Sequence, residues 1–304
     1  MTEQQRIKNL SVPTGAVDVV LDTDAYNEVD DQYAIAYLLR SGDKLRTRAI
    51  YAAPFLNALV KTPAEGMEKS YGELQKILGM LGERVPTLRG STGFLTDEQT
   101  PICSDAARDL AARAAQYSPE HPLYVVAIGA ITNVASAILL NPLVAENTVV
   151  VWLGGHARHY HDTAEFNMRE DIAAARVVFG SGVPLVQLPC RGVVSEFRVS
   201  EPELRHWLEG RGALADYLVE YTVATAERYA AGTAWTRVIW DVTAVAWLLN
   251  DGNRFLLSQI LQTQMPTYDH RYADVENALP MAYVYSVNRD ALMTDLFRKL
   301  TARA

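Results

Sequence analysis

The sequence predicts an α/β protein in which helices flank a mostly parallel, doubly wound (Rossmann-like) sheet. Between Val17 and Leu188, short apolar runs rich in β-branched residues alternate with longer segments of helical periodicity. Strands that alternate with helices are typical of a parallel sheet. From Ser200 onward the pattern is mainly helical, which predicts a helical C-terminal part. Because no linker, repeat or low-complexity tract divides the chain, we expect a single domain over residues 1–304.

The individual elements follow from apolar periodicity and from the Gly, Pro and polar residues at their ends. The predicted strands cover residues 17–21, 46–53, a short stretch after 86, 123–128, 148–153 and 184–188. The predicted helices cover residues 33–39, 63–79, 103–117, a segment after Gly129, 171–180, 202–209, 214–229, 241–249 and 289–300.

Composition indicates a soluble globular protein. The hydrophobic fraction is 49% and the charged fraction 21%, and the net charge of −8 argues against a nucleic-acid or anionic-membrane surface. No apolar run is long enough to cross a bilayer, and the polar start of the chain lacks a signal core, so we expect a cytoplasmic protein. The two cysteines, Cys103 and Cys190, are too few and too distant for a disulfide framework.

Four aspartates, Asp22, Asp24, Asp30 and Asp31, lie between the end of the first predicted strand and the start of the next helix. Carboxylates crowded in this way repel one another unless a cation is bound, and hard oxygen ligands suit Ca²⁺ or Mg²⁺ rather than Zn²⁺. The alternative is that the second pair only caps the helix while the first pair faces solvent. Ligands of open α/β sheets bind beyond the carboxyl ends of strands, which favours a metal or substrate site.

The segment from Asp22 to Asp31 resembles the N-terminal signature of the calcium-dependent nucleoside hydrolases, the inosine-uridine preferring nucleoside hydrolase family. Its loop, residues 25–29, is two residues longer than the family's usual loop. Three further stretches resemble family elements in the expected order. They are Ile128 to Asn133 at a strand end, Glu165-Phe166-Asn167, and Trp240-Asp241 at the start of an apolar helix.

The resemblance implies hydrolysis of the N-glycosidic bond of a ribonucleoside or related ribosyl compound. It implies that Asp24, Asp31, Asp241 and the backbone carbonyl of Ile128 bind Ca²⁺, and that Asp24 takes a proton from a calcium-bound water. Asp22 would brace these ligands.

The remaining roles implied by the resemblance concern the substrate. Asp30 and Asn167 would hold the ribose diol, Glu165 would hold the 5′ side, and Trp240 would offer an aromatic face to the base. His159 stands where the family usually has an Asn that helps hold the 5′ end. Family members are usually oligomers, so we expect a homodimer or homotetramer.

Recognition of the base and the route by which it leaves stay open. His156, His159, His161, Tyr229 and Arg237 are candidates to approach the base. The cluster Arg158, His159, His161 and Arg169 is interpreted either as ordinary surface charge or as a sign of an anionic substituent, such as a 5′-phosphate or a carboxylated base.

Two other functions compete with nucleoside hydrolysis. A haloacid-dehalogenase type of Mg²⁺-dependent phosphohydrolase also begins with Asp-x-Asp after a strand, but it would not explain the motifs at Glu165 and Trp240. A protein that keeps the pocket but has lost base activation would bind nucleosides or sugars without cleaving them.

Overall fold

The computed structural model describes residues 1–302 of the chain. The strands are β1 (Val17–Thr23), β2 (Leu45–Ala52), β3 (Thr87–Arg89), β4 (Leu123–Ala127), β5 (Thr148–Leu153), β6 (Leu185–Leu188), β7 (Arg198–Val199), β8 (Arg237–Val238), β9 (Leu256–Gln262), β10 (Gln264–Pro266), β11 (Tyr272–Asp274) and β12 (Pro280–Val287). The helices are α1 (Glu3–Asn9), α2 (Asp31–Leu39), α3 (Pro63–Leu81), α4 (Asp105–Ala114), α5 (Thr132–Leu140), α6 (Leu143–Asn147), α7 (Phe166–Glu170), α8 (Ile172–Gly180), α9 (Glu201–Leu208), α10 (Ala213–Ala230), α11 (Val242–Leu248) and α12 (Arg289–Thr301).

The main sheet has eight strands in the order β3-β2-β1-β4-β5-β6-β12-β9. Every pairing from β3 to β12 is parallel, and only β9 runs antiparallel, against β12. Apolar side chains project from both faces of the sheet. Val19 and Leu21 of β1 pack in one core cluster, and Val20 packs in the other. The predicted mostly parallel α/β fold is therefore confirmed.

The position of β1 decides where a ligand can bind. β1 pairs with β2 on one side and with β4 on the other. The chain first moves outward from β1 to β3 and then returns to build β4, β5 and β6 on the opposite side. The strand order reverses between β1 and β4, and in open α/β sheets the crevice beyond the carboxyl ends at such a reversal is the usual ligand site.

The C-terminal part contains strands that the sequence did not predict. Helices α9 to α12 agree with the expected helical pattern, but β9 and β12 also join the main sheet, and β10 pairs with β11. In β9, Leu256, Leu257, Ile260 and Leu261 follow the spacing of a helix face, so periodicity alone does not indicate a strand. Pairing with β12, which lies far along the chain, decides the conformation.

β12 also places the C-terminal region in the same sheet as β1. A single domain over residues 1–304 stays a prediction, and the shared sheet supports it. No helix within residues 1–302 combines the length and the apolar character needed to cross a membrane.

Candidate active site

A cavity of about 450 Å³ opens beyond the carboxyl ends of β4 and β5, beside the loop that follows β1. Most of the residues predicted from the sequence line it: Asp24, Asp30, Asp31, Ile128, Glu165, Asn167, Trp240 and Asp241. Two predicted residues do not line it, since Asp22 is fully buried and His159 is exposed outside the pocket.

Three aspartates form the tightest acidic cluster of the pocket. One carboxylate oxygen from each of Asp30, Asp31 and Asp241 lies within 4.8 Å of the others. The three residues are 3%, 1% and 4% exposed. This arrangement can hold a divalent metal ion through hard oxygen ligands.

Two helix starts and one strand end bring these acids together. Asp31 is the first residue of α2, Asp30 precedes it, and Asp241 directly precedes α11. The Thr23 hydroxyl at the end of β1 donates to Asp31 Oδ1. Neither Asp30 nor Asp241 makes a side-chain capping bond to its helix, so the interpretation of these acids as simple caps is not supported.

Burial and mutual repulsion disfavour the charged forms of these carboxyls. Burial raises the pKa of Asp31 to about 7. Burial, and then the neighbouring acids, raise the pKa of Asp24 and Asp241 well above the ordinary value, and burial with the Glu28 and Asp31 charges does the same for Asp30. Crowded carboxyls of this kind are expected where a cation is normally bound.

The protein itself does not supply a cation in contact with this cluster. In the part of the chain that the structure describes, no Lys, Arg or His nitrogen lies within 4.0 Å of a carboxylate oxygen of Asp24, Asp30, Asp31 or Asp241. Arg237 lowers the pKa of Asp30 by its charge, but its own ion pair is with Glu28, at 2.6 Å. A divalent ion therefore fits the charge of the site.

Asp24 is positioned by a close backbone approach. A Cβ added at Gly129 would lie 3.0 Å from both Cβ and Cγ of Asp24, so only glycine fits there without displacing the carboxylate. On its other side, Asn27 Nδ2 donates to Asp24 Oδ2 at 2.9 Å. Tyr26, between them in sequence, has a left-handed backbone with φ of 85°, which is unfavourable for a bulky residue.

Asn167 connects two strand ends at the floor of the pocket. Its Nδ2 donates to the Leu153 carbonyl at 3.0 Å and to the Ile128 carbonyl at 3.3 Å. With both amide protons used, the side-chain oxygen stays available to accept a hydrogen bond from a sugar hydroxyl. Ile128, whose carbonyl the family resemblance implies as a metal ligand, lines the pocket.

Glu165 has a structural role, while its predicted contact with the 5′ side of the sugar stays a prediction. It precedes α7, and its carboxylate accepts from the backbone N–H groups of Asn167 at 2.9 Å and Met168 at 3.1 Å. It also accepts from the N–H of Gly155 at 3.0 Å, where φ is 77° and glycine is favoured. These bonds fix the loop that follows β5 against the start of α7.

Asp22 lies behind the pocket and Trp240 lines it, and the roles predicted for them stay predictions. Asn133 Nδ2 donates to Asp22 Oδ1 at 2.8 Å, and the backbone carbonyl of Asp22 accepts from the N–H of Ile128 at 2.8 Å. This backbone bond joins the end of β1 to Ile128, which follows β4 and lines the pocket. Trp240 lines the pocket while partly packed against the core.

Sequence reasoning did not identify several residues that line the pocket, or did not give them a role. Arg191, Tyr160 and Cys190 follow β5 or β6 and reach the pocket without any sequence motif that marks them. His156 lines the pocket, whereas Tyr229, another candidate near the base, is 72% exposed and does not. Their position shortly after predicted strands was the one sequence signal that could have identified these residues.

Comparisons with known proteins point to one family. The family model described as inosine-uridine preferring nucleoside hydrolase matches residues 19–292. The non-specific ribonucleoside hydrolase RihC of Salmonella paratyphi B is 27% identical over 254 residues, which cover 78% of this chain and 79% of that protein.

Two solved structures share the fold. The plant nucleoside hydrolase PpNRh1 aligns with a TM-score of 0.75 at 20% identity, over 95% of this chain and 100% of that one. The purine-preferring ribonucleoside hydrolase from Gardnerella vaginalis aligns with a TM-score of 0.75 at 18% identity, over 93% and 98% of the two chains. Since the family model spans most of the sequence, the chain belongs to the inosine-uridine preferring nucleoside hydrolase family, whose members hydrolyse N-glycosyl bonds.

Proposed function

We propose that this protein hydrolyses the N-glycosidic bond of ribonucleosides, with Ca²⁺ as cofactor and Asp24 as general base. Family membership supports the reaction. The observation that carries the mechanism is the group of four buried aspartates that line one pocket without a basic partner in the described residues. The match over residues 19–292 favours this function over a haloacid-dehalogenase phosphohydrolase.

The ligands proposed for the ion are Asp24, Asp31, Asp241 and the Ile128 carbonyl, all of which line the pocket. Asp30 is proposed to bind the sugar, yet its carboxylate also belongs to the cluster with Asp31 and Asp241. The same carboxylate is therefore proposed to lie close to both the ion and the ribose. When bound, the divalent ion supplies positive charge that lowers the pKa of water and holds hydroxyl groups.

The proposed chemistry uses Asp24 to take one proton. A water oxygen attacks C1′ of the ribose, the bond from C1′ to the base nitrogen breaks, and the electron pair leaves on the base. Asp24 accepts the proton that the water loses, while Asn27 holds Oδ2 of the same carboxylate. Asn27 itself is held by a hydrogen bond from Asn57 at 2.8 Å.

The sugar and the base are proposed to bind on opposite walls. The Asn167 side-chain oxygen and the Asp30 carboxylate accept from the ribose hydroxyls, and Glu165 lies on the 5′ side. Trp240 offers an aromatic face to the base. Such stacking does not depend on the hydrogen-bonding groups of the base. His156 and His161 line the pocket and are the histidines within reach of a bound substrate.

A nucleoside panel tests the proposal. The protein is incubated with purine and pyrimidine ribonucleosides in Ca²⁺ or in EDTA, and free base is followed by chromatography. Release of base that requires the metal supports the proposal. Release of phosphate from phosphate esters in Mg²⁺ would favour the phosphohydrolase instead, and nucleoside binding without release would indicate a binding protein.

We also propose, from the family resemblance, a homodimer or homotetramer. Light scattering on the purified protein measures the mass directly, and a mass of 33.7 kDa would contradict it.

A further inference from the structure

One wall of the pocket carries basic side chains that the proposed chemistry does not use. Arg191, Arg169, His156 and His161 line the cavity together with the acids. Arg191 follows β6, which is three strands from β1 in the sheet. At about 4.8 Å per strand, the end of β6 lies about 14 Å from the end of β1, where the acidic cluster begins.

The two arginines are not neutralised by the protein. Among the residues that the structure describes, no carboxylate oxygen lies within 4.0 Å of the guanidinium of Arg191 or Arg169. By contrast, Arg237 is paired with Glu28 and His161 with Asp162, the latter at 2.7 Å. The basic wall therefore keeps positive charge that is available to a ligand.

His156 adds an unused hydrogen-bonding group beside Arg191. The residue is 7% exposed and lines the pocket, and its Nδ1 has no hydrogen-bond partner among the described residues. Because this buried atom is closed to solvent, the imidazole ring must turn before the atom can contact a bound group. Burial, and then the charge of Arg191, lower the pKa of His156.

Backbone pairing places this pair next to Glu165. The Gly155 N–H donates to Glu165, and the Gly155 carbonyl accepts from the N–H of Cys190 at 2.8 Å. Two residues further along, the Ala157 N–H donates to the Arg191 carbonyl at 3.0 Å. His156 and Arg191 are thus held on the side of the pocket that the proposed function gives to the 5′ end of the ribose.

We propose that the physiological substrate carries a phosphate ester on the 5′ side of its ribose, and that Arg191 binds this phosphate with the help of His156. The inference rests on the proposed function, because the 5′ side is defined by the sugar orientation given there. Arginine suits the role since its planar guanidinium donates two parallel hydrogen bonds to phosphate oxygens.

The first test compares ribonucleosides with their 5′-monophosphates as substrates at a fixed free Ca²⁺ concentration. We expect kcat/KM to be at least about tenfold higher for the monophosphate, the size expected from one charge-assisted hydrogen bond. In Arg191→Gln the ratio of the two kcat/KM values should fall by about tenfold. Arg211→Gln is the matched control, because Arg211 is exposed and does not line the pocket.

Three results would overturn the inference. They are a preference for the unphosphorylated nucleoside, a ratio unchanged by Arg191→Gln, or a preference for a nucleoside with a carboxylated base, which would place the anion on the base side.

A binding measurement separates failure of this inference from failure of the proposed reaction. The calcium-loaded protein is titrated calorimetrically with ribose 5-phosphate and with ribose. We expect the phosphate to lower Kd at least about tenfold in the wild type and in Arg211→Gln, but not in Arg191→Gln. If this holds while no compound is cleaved, the hydrolase proposal fails and the phosphate site stands. If bases are released but ribose and ribose 5-phosphate bind with the same Kd, the phosphate site is wrong and the hydrolase proposal is unaffected.

Discussion

Asp30 and Asp241 are 211 positions apart in the chain, yet the backbone N–H of Asp241 donates to Asp30 Oδ2 at 3.4 Å. The contact joins the starts of α2 and α11 at one end of the sheet. Both helix starts direct their positive dipole ends toward the same carboxylates, which favours negative charge there. Burial and mutual repulsion oppose that charge. A bound cation would therefore stabilise the ionised forms of these aspartates.

Asp24→Asn should abolish most activity without harming the fold. The amide keeps the size of the carboxylate but cannot accept the proton of the attacking water, so we expect kcat to fall by about 10²- to 10⁴-fold. Circular dichroism and the melting temperature should stay near wild type, because removing one buried acid relieves repulsion. Asp43→Asn, on an exposed turn before β2, is the control. Near-normal turnover in Asp24→Asn would remove Asp24 from its role.

Thr23→Val should weaken metal binding more than it weakens the fold. Valine keeps the shape of threonine but removes the hydroxyl that donates to Asp31. Loss of such a bond to a metal ligand typically lowers metal affinity about 10- to 100-fold. Thr132→Val is the matched control, because it removes a buried hydroxyl bond to Asp171, at 2.6 Å, which is not a predicted ligand. Equal calcium affinity in both variants would contradict the role of Thr23.

The first acidic segment shows how much of the site the sequence predicts. Asp24 and Asp31 are close in the chain, follow a buried strand and open a helix, so local pattern alone indicates that they share a site. Asp241 is different. Its position beside Asp30 depends on how α11 packs near α2, which no local pattern contains, and only the family resemblance suggests it.

The basic wall of the pocket and the C-terminal strands could not be predicted from the sequence. His159, predicted to bind substrate because it stands where the family has an Asn, is exposed outside the pocket, whereas His156 and Arg191 line it. Likewise β12 was not among the predicted strands although it contains Tyr283-Val284-Tyr285, and its place in the sheet depends on pairing with β6 and β9. In both cases a contact between distant segments decides the outcome, and periodicity carries no information about such contacts.

Gly129→Ala should reduce activity through Asp24. The added methyl would lie 3.0 Å from Cβ and Cγ of Asp24, so the carboxylate must shift by a few tenths of an ångström. A displacement of about 1 Å at a catalytic group can cost about 10²-fold in rate, so we expect a loss of about tenfold or more in kcat. Gly72→Ala, in α3 with open space at its Cβ, should keep full activity and gain up to about 1 kcal/mol of stability. Equal kcat values in the two variants would rule out this constraint.

The metal-free protein should lose stability as the pH rises. Burial raises the pKa of Asp22 and Asp31 to about 7 and that of Glu170 to about 8. These groups bind more protons in the folded state than in the unfolded state, so their contribution is fully present below about pH 4 and is lost as the pH rises through 7 to 8.

In EDTA, we expect the free energy of unfolding to fall between pH 5 and pH 8 by up to about 1.4 kcal/mol per pH unit for each such group. Saturating Ca²⁺ should reduce this dependence, because the ion stabilises the ionised acids. Chemical denaturation at several pH values measures it. A free energy that rises with pH in EDTA would contradict the assignment.

The central claim is that acids distant in the chain bind one divalent cation, and calorimetric titration of the EDTA-stripped protein with Ca²⁺ tests it most directly. We predict one Ca²⁺ per chain for the wild type and at least about a 100-fold weaker affinity for Asp241→Asn, because the variant lacks one anionic ligand. Asp43→Asn should bind like the wild type. If the wild type takes up no Ca²⁺, or if Asp241→Asn binds it as tightly as the wild type does, the claim is wrong.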